Sequence, residues 1–277
     1  MPKAKVISLI QMKGGVGKTT CAVNLASYLA REHQKRVLLV DFDPQTNATL
    51  SLISEERWRD WEKDRGTMAD VLEVEQKRRG ADTVKLGDCI LTEVNSDLPG
   101  LHLVPSHLKL TFLDLDLAAR PGRERIFARK LEKVLPGYDI VLCDCPPNLM
   151  IGTQNAVFAS DWYLVPMQPD FLSSVGLSLL QDRLAYLRKS LEFKLRCLGI
   201  VFSRVRRHIH FHQETIERLK SDRAFKRLYF FDAMIPENIK LGEAPMAAQP
   251  INLYDASASG ADAFSALAKE FLARLAS

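Results

Sequence analysis

The feature that most constrains the fold of this chain is the alternation of short apolar runs with helical patterns. The apolar runs predict strands at residues 5–10, 36–42, 101–106, 139–144, 161–167, 198–203 and 229–235. Helical patterns lie between or after them at 18–31, 171–190, 212–221 and 260–275. Several runs are continuously apolar, as in parallel strands that are covered by helices on both sides. The pattern therefore predicts an α/β fold, a doubly wound and mostly parallel sheet with helices on both faces.

The predicted elements cover most of the chain, so we expect residues 1–277 to form a single domain. Residues 51–100 are the least regular part, and we interpret them as a peripheral helical insertion whose many charges form a solvated face. At 47% hydrophobic and 26% charged residues the composition is that of an ordinary globular protein.

No apolar run approaches the roughly 20 residues that a membrane span needs, and the start of the chain does not resemble a signal peptide. The five cysteines are an odd number, which favours reduced thiols over a disulfide framework. We therefore expect a cytoplasmic protein.

A phosphate-binding loop is predicted at QMKGGVGKTT, residues 11–20, which lies between a strand and the start of a helix. The glycines at 14, 15 and 17 are expected to take positive φ and to turn backbone N–H groups towards phosphate oxygens. Lys18 would reach the β- and γ-phosphates, and the Thr19 hydroxyl would ligate Mg²⁺. The alternative, a tight turn with a capping threonine, explains the glycines but not the Lys18-Thr19 pair.

Lys13 makes this loop unusual. The common pattern is G-x-x-x-x-G-K-[ST], but its first glycine is replaced by Met12, and Lys13 stands next to it. Because Lys18 already serves the local phosphates, a second cation is more useful in trans, at the nucleotide of a partner subunit. The alternative is a solvated surface lysine.

Three carboxylates follow predicted strands. Asp41 and Asp43 end one strand and Asp144 ends another, at the carboxyl edge where open α/β sheets bind ligands. Carboxylates in this position hold Mg²⁺, usually through water. A strand-end turn cap is the common role of a single Asp, but three beside a phosphate loop favour a metal site.

Several motifs, in order, resemble the ParA/MinD family of deviant Walker-A ATPases, which have a P-loop NTPase fold. They are KGGVGKTT (13–20), VLLVDFDPQTNAT (37–49), YDIVLCDCPP (138–147), VPMQPDFLSSVGL (165–177), IPENIKLGEAP (235–245) and QPINLYDASASGADAF (249–264). The resemblance implies that Lys13 crosses the interface of an ATP-bound homodimer. It also implies ATP and Mg²⁺ as cofactors, with nucleotide contacts from Gly14, Gly15, Val16, Gly17, Lys18, Thr19 and Thr20.

The same resemblance assigns roles to other residues. Asp43 would orient the attacking water, Asp144 would fill the Walker-B role and Asp41 would support the magnesium site. Pro236, Glu237 and Asn238 would shape the adenine pocket, although Pro and Asn also simply build turns. Thr46 stands where the family often has glycine, which would stiffen the loop.

Residues 188–240 carry 13 Lys and Arg against 6 Asp and Glu, so this segment is +7 and the remainder of the +4 chain is −3. Such polarity favours an acidic partner, a phosphate backbone or an anionic membrane, over a merely solvated surface. By resemblance, we expect non-specific DNA binding in the ATP state. The candidate contacts are Arg204, Arg206, Arg207, Arg223, Lys226, Arg227 and Lys240. His208, His210 and His212 are interpreted as surface residues.

The function that this resemblance implies is a weakly active ATPase, associated with the nucleoid. It would position a plasmid, a chromosome origin or a protein compartment. An adaptor, ParB-like or linked to the cargo, would stimulate hydrolysis. A MinD-like membrane switch is the alternative, but the C-terminal pattern at 260–275 has balanced charges and is expected to pack on the core. An iron–sulfur relative is less favoured, because Cys143 and Cys145 are not a C-x-x-C pair.

Overall fold

The computed structural model describes residues 4–74, 84–206 and 208–277. Its strands are β1 (Lys5–Leu9), β2 (Val37–Asp41), β3 (Leu101–Val104), β4 (Ile140–Asp144), β5 (Trp162–Met167) and β6 (Arg196–Phe202). All are parallel neighbours in one sheet of order β3-β2-β4-β1-β5-β6. The predicted fold class is confirmed.

Helices connect the strands. They are α1 (Lys18–Arg31), α2 (Asn47–Leu50), α3 (Glu55–Asp64), α4 (Met68–Val71), α5 (Leu113–Asp116), α6 (Ile126–Leu131), α7 (Ile151–Ala159), α8 (Ser173–Leu191), α9 (His210–Ser221), α10 (Ile239–Glu243), α11 (Ile251–Tyr254) and α12 (Ser259–Ala276). Short 3₁₀ turns occur at Leu86–Cys89, Leu108–Phe112, Arg123–Arg125, Leu135–Gly137 and Ala244–Ala247. No helix among the described residues has the length and apolar character to cross a bilayer.

The sheet separates two apolar layers, because successive side chains of a strand point to opposite faces. In β1, Val6 belongs to the layer that α6, α7 and α8 cover, whereas Ile7 and Leu9 belong to the layer beneath α1 and α12. The apolar side of α12 is buried there, with the ring of Phe264 stacked 6.4 Å from Tyr28. The prediction that the C-terminal helix packs on the core is therefore confirmed.

The prediction of a seventh strand at 229–235 is wrong. The segment does lie beside β6, where the N–H of Ile200 donates to the Tyr229 carbonyl (2.8 Å) and the N–H of Phe231 donates back to Ile200 (2.9 Å). The ladder is then interrupted, because the N–H groups of Asp232 and Ala233 turn to the Glu270 carboxylate on α12 (2.8 and 2.9 Å), and pairing returns only where the Ile235 N–H donates to the Phe202 carbonyl (2.8 Å). Two isolated bridges replace the expected strand.

The described part of residues 51–100 contains two kinds of structure. Helix α3 has no buried residue, in agreement with a solvated charged face. By contrast, Met68 and Leu72 are fully buried in one apolar layer, and Leu98 is buried in the other. The division of the chain into one domain with an insertion stays a prediction.

Candidate nucleotide-binding site

The loop between β1 and α1 has the backbone that a phosphate site requires. Gly15 and Gly17 have φ of +74° and +80°, in the left-handed region that favours glycine, and α1 starts at the next residue, Lys18. Gly14 does not have the expected positive φ, and a Cβ there would meet nothing within 4 Å. The N-terminus of α1, with its free N–H groups and positive dipole end, therefore opens at the loop.

Lys18 and Thr19 begin α1 and lie above the carboxyl end of β4. The Lys18 side chain is buried, and the Thr19 hydroxyl donates to Oδ2 of Asp144 (2.7 Å). The other oxygen, Oδ1 of Asp144, is buried and has no partner among the described residues. A buried carboxylate oxygen without a partner is costly unless a cation or water meets it.

Asp41 and Asp144 are register partners on β2 and β4, and both are fully buried. Burial raises the pKa of both carboxyls, and the charge of Asp144 raises the pKa of Asp41 further. The Lys18 ammonium and the Thr19 hydroxyl oppose the rise in the pKa of Asp144. An added cation is the natural complement to two such carboxylates.

Asp41 is engaged by protein donors. Its Oδ1 accepts the N–H of Asp43 (3.0 Å), and its Oδ2 accepts both the N–H and the hydroxyl of Thr49 (2.9 and 2.7 Å). Asp144, with its free Oδ1, is therefore the better fitted of the two as a metal ligand. Asp41 mainly holds the loop that carries Asp43.

Asp43 and Thr46 belong to that loop. The side chain of Asp43 lines the pocket, and its Oδ1 accepts the N–H of Gln45 (3.0 Å). Thr46 has φ of +57°. This left-handed conformation is unfavourable for a β-branched residue and explains why glycine suits the position.

Lys13 lies at the rim of the pocket and forms an ion pair with Asp170, just before α8. The Lys13 side chain is 52% exposed and that of Asp170 is 23% exposed. Lys13 is thus held within its own chain by a partly exposed ion pair.

A pocket of about 880 Å³ brings the predicted nucleotide contacts together. The predicted residues that line it are Lys13, Gly14, Gly15, Val16, Gly17, Lys18, Thr19, Thr20, Asp43, Pro236, Glu237 and Asn238. Asp41 and Asp144 lie beneath its floor. The roles of all these residues in catalysis, nucleotide binding and metal binding stay predictions.

The wall opposite the loop is held by ion pairs. Nη2 of Arg204 lies 3.0 Å from the Glu237 carboxylate, and Nη1 of the same arginine donates to the Gly15 carbonyl (2.8 Å). Arg206 also pairs with Glu237. Hydrogen bonds from Arg206 and then Arg204 lower the pKa of Glu237 to about 2. Asn238 caps α10 by accepting the Lys240 N–H (2.8 Å), so it also has the turn-building role considered above.

The candidate DNA contacts do not form one uniform surface. Arg204 lines the pocket and, like Arg206, pairs with Glu237, and Lys240 pairs with Glu243. Arg223, Lys226 and Arg227 are exposed in the turn after α9, without an ion pair in the described part of the chain. Arg207 lies outside the described residues.

The histidines do not all lie at the surface. His208 and His210 are exposed, but His212 is buried and its Nδ1 accepts the Arg206 N–H (3.2 Å). Burial lowers the pKa of His212. The interpretation of His212 as a surface residue is wrong, because the first turn of α9 folds back on the chain after β6.

Cys143 and Cys145 are fully buried in the apolar layer, and burial raises the pKa of both thiols. No group of three or more His, Cys, Asp or Glu side chains in the described ranges is arranged to hold a metal ion. Any magnesium site must therefore be completed by Thr19, water or a nucleotide.

Sequence reasoning missed several residues of the site. The Ser203 hydroxyl donates to the Val16 carbonyl and braces the loop, while Asn24, Leu241 and Gln249 line the far part of the pocket. Ser203 could have been found as the last residue of a predicted strand at the carboxyl edge of the sheet. The others carry no local signal.

The parallel sheet, the glycine loop at the start of α1 and the carboxylate that faces Thr19 define a protein of the P-loop nucleoside triphosphatase class. The AAA domain family matches residues 4–197. The sporulation initiation inhibitor protein Soj of Bacillus subtilis is 35% identical over 269 residues, which cover 97% of this chain and 98% of Soj. The chromosome partitioning protein ParA of Caulobacter vibrioides is 32% identical over 274 residues, which cover 98% and 94% of the two chains. The chain belongs to the ParA/Soj family of partition ATPases within this class.

Solved structures of other proteins have the same fold as this chain. Cobyrinic acid a,c-diamide synthase from Mycobacterium smegmatis, with a bound ATP analogue and magnesium, has a TM-score of 0.78 and 24% identity, with 99% of this chain and 96% of that chain covered. A variant of Cyanothece McdA in complex with ATP has a TM-score of 0.80 and 20% identity, with 99% and 97% covered.

Proposed function

We propose that this protein is a Mg²⁺-dependent ATPase that dimerises around ATP, binds DNA without sequence preference in that state and positions a cargo. The observation that carries the proposal is the Thr19–Asp144 hydrogen bond, together with Oδ1 of Asp144, which lies beneath the phosphate loop and has no partner in the described part of the chain. Sequence similarity to Soj and ParA supports it.

The donor set fits Mg²⁺. Asp144 and the Thr19 hydroxyl are hard oxygen ligands, and Mg²⁺ is usually held by one or two carboxylates together with water and substrate phosphates. When bound, the ion would neutralise charge that develops on the β- and γ-phosphates. Solved neighbours that contain an ATP analogue and magnesium are consistent with this.

The chain's own residues would bind and orient the nucleotide. The N–H groups of the loop and the Lys18 ammonium would hold the phosphates, while the 236–238 wall would contact the base. Asp43, at the pocket surface with only Oδ1 bonded to the backbone, would use Oδ2 to accept a hydrogen bond from the attacking water. Such a site positions reactants and contains no strong base, which is consistent with slow turnover.

Dimerisation is proposed to use the carboxyl edge of the sheet. Large exposed apolar residues follow the ends of successive strands there: Leu108, Phe112 and Leu115 after β3, Met150 after β4, and Phe171, Leu172 and Val175 after β5. Concentrated exposed apolar surface marks an interaction site. Lys13 lies at the same edge, where it would meet a partner's phosphates once it leaves Asp170.

DNA binding is proposed for the exposed cations Arg223, Lys226 and Arg227, together with Lys240 and the two arginines that pair with Glu237. The excess charge of this segment favours contacts with phosphates over reading of bases. The cargo would be a plasmid, a chromosome origin or a protein compartment. An adaptor protein, ParB-like or linked to the cargo, would stimulate hydrolysis and release the ATPase from the nucleoid.

The nucleotide assignment is tested by Lys18→Ala and Asp43→Ala, with ATP affinity measured by calorimetry and phosphate release measured separately. Lys18→Ala should abolish ATP binding, whereas Asp43→Ala should bind ATP and stall hydrolysis. Lys5→Ala is a matched control, because Lys5 is an exposed lysine at the opposite end of β1. Unchanged ATP affinity in Lys18→Ala would refute the assignment.

DNA binding is tested by Glu237→Gln, measured at a saturating concentration of a non-hydrolysable ATP analogue. This change releases Arg204 and Arg206, so the slope of log K against log salt should steepen by about 1 to 2. Glu55→Gln, which releases Arg59 on α3, is the control and should leave the slope unchanged. An unchanged slope in Glu237→Gln would remove these two arginines from the DNA surface.

A further inference from the structure

A short buried stretch that follows β3, Pro105–His107, connects the Asp43 loop to helix α3. Neither partner is close in sequence, and Ser106 is fully buried between them. Among the described residues from 52 to 146, none lines the pocket, so this stretch and α3 act on a bound nucleotide only through other residues.

Ser106 holds the Asp43 loop at two points. Its hydroxyl donates to the backbone carbonyl of Asp43 (2.6 Å), and its N–H donates to the hydroxyl of Thr49 (2.9 Å). Thr49 in turn donates to Asp41 (2.7 Å), which accepts the Asp43 N–H (3.0 Å). Asp43 is thus held on both sides of its Cα, so the direction of its side chain depends on Ser106.

Helix α3 holds Ser106 from the other side. The indole N–H of Trp58 donates to the Ser106 carbonyl (2.9 Å), and the ring of His107 stacks on Trp58 with centroids 5.6 Å apart. Nε2 of His107 lies 3.0 Å from the Glu62 carboxylate, also on α3. Arg57 and Trp61 also tie α3 to the body of the protein, through the Val94 carbonyl (2.9 Å) and an apolar layer, but Trp58, Glu62 and their partners are the contacts that reach the Pro105–His107 stretch.

We propose that Ser106 is a positioning residue for Asp43 in ATP hydrolysis and that α3, through Trp58, supports it. The inference rests on the proposed role of Asp43 in orienting water. Removal of the Ser106 hydroxyl would leave the Asp43 carbonyl bonded only to the Thr46 N–H (2.9 Å) and would let the carboxylate move, but it would leave the phosphate loop intact. Small misplacements of an orienting group cost up to about 100-fold in rate, so loss of the Ser106 hydroxyl should lower kcat. The affinity for ATP should not change, because the phosphate loop is unaltered.

The test compares Ser106→Ala and Trp58→Phe in the full-length protein, with kcat measured at saturating Mg²⁺-ATP and ATP affinity measured by calorimetry. Ser106→Ala should lower kcat about tenfold, with ATP affinity within about twofold of the parent. Trp58→Phe keeps an aromatic ring against His107 but removes the indole donor, and it should lower kcat about threefold. If Ser106→Ala does not fold, Trp58→Phe decides alone.

Ser160→Ala is the matched control. Ser160 is a buried serine just before β5 that bonds Ser8 (2.7 Å) and the Ala156 carbonyl (2.8 Å), whereas the Asp43 loop follows β2, so its loss should not change kcat. A parental kcat in Ser106→Ala, an equal fall in kcat and ATP affinity, or an equal slowing in Ser160→Ala would overturn the proposal. Asp43→Ala, measured alongside, separates the two failures. If it hydrolyses ATP normally, the proposed role of Asp43 fails; if it stalls while Ser106→Ala does not, only the present inference fails.

Discussion

The ion pair between Lys13 and Asp170 predicts that one substitution should strengthen the ATP-dependent dimer that we propose. The two oxygens of Asp170 have different tasks. Oδ2 pairs with Lys13, whereas Oδ1 accepts the N–H of Leu172 (3.1 Å) and the hydroxyl of Ser173 (3.2 Å) at the start of α8. Asp170→Asn keeps an oxygen for the helix and removes the charge that holds Lys13.

The size of the effect follows from exposure. An ion pair with one partner 52% exposed is screened by solvent and contributes about 0.5 kcal/mol. A symmetric dimer must break two such pairs, so their loss should favour dimerisation by about 1 kcal/mol, or about fivefold in the dissociation constant. The gain should shrink at high salt, because screening also weakens the pair in the parent.

The dissociation constant of the dimer can be measured by sedimentation in the presence of a non-hydrolysable ATP analogue. The proteins compared are the parent, Asp170→Asn and Lys13→Gln. Asp170→Asn should dimerise at about fivefold lower concentration. Lys13→Gln should bind ATP but dimerise poorly, because two sets of phosphates would approach with less neutralisation. A mixture of the Lys13→Gln and Lys18→Ala proteins should recover some ATP hydrolysis. In a mixed dimer the Lys13→Gln subunit binds the one nucleotide, and the Lys18→Ala subunit supplies Lys13 to it. If Lys13→Gln dimerises like the parent, the in-trans role is wrong; if Asp170→Asn dimerises less well, the pair does not restrain Lys13.

Three further predictions concern the backbone and the thiols. Thr46→Gly should relieve left-handed strain of about 1 kcal/mol and offset the entropy cost of glycine, so urea unfolding should show equal or slightly higher stability; a loss above about 1 kcal/mol would contradict the strain. Gly199→Ala should lower the free energy of unfolding by about 2 kcal/mol, because the new Cβ would lie 2.6 Å from the Phe231 ring; a neutral result would mean that Phe231 moves freely. Cys143 and Cys145 should react with thiol reagents only after unfolding, and the purified protein should be colourless; visible absorbance would support the iron–sulfur alternative.

Local patterns in the sequence were sufficient for the six strands that the sheet contains and for the glycine loop before α1. Continuous apolar runs identify buried parallel strands, and α1 begins at Lys18 as predicted, because the glycines and the helix start are neighbours in the chain. The carboxylates could be placed at one edge without a structure, since parallel strands end on the same side of a sheet.

The tertiary structure decided what depends on residues far apart in the chain. Residues 229–235 have the apolar pattern of a strand, yet Glu270 on α12 takes the N–H groups that a seventh strand would need. Arg204 and Arg206 belong to a basic segment by composition, but both pair with Glu237, which lines the pocket. Ser106 and Trp58 are 48 positions apart and carry no motif, although they meet next to Asp43. Short-range sequence patterns depend only on residues that are close together in the chain. A buried hydrogen-bond donor or charge is instead paired with whichever group the fold brings within reach, and that group can be far away in the sequence.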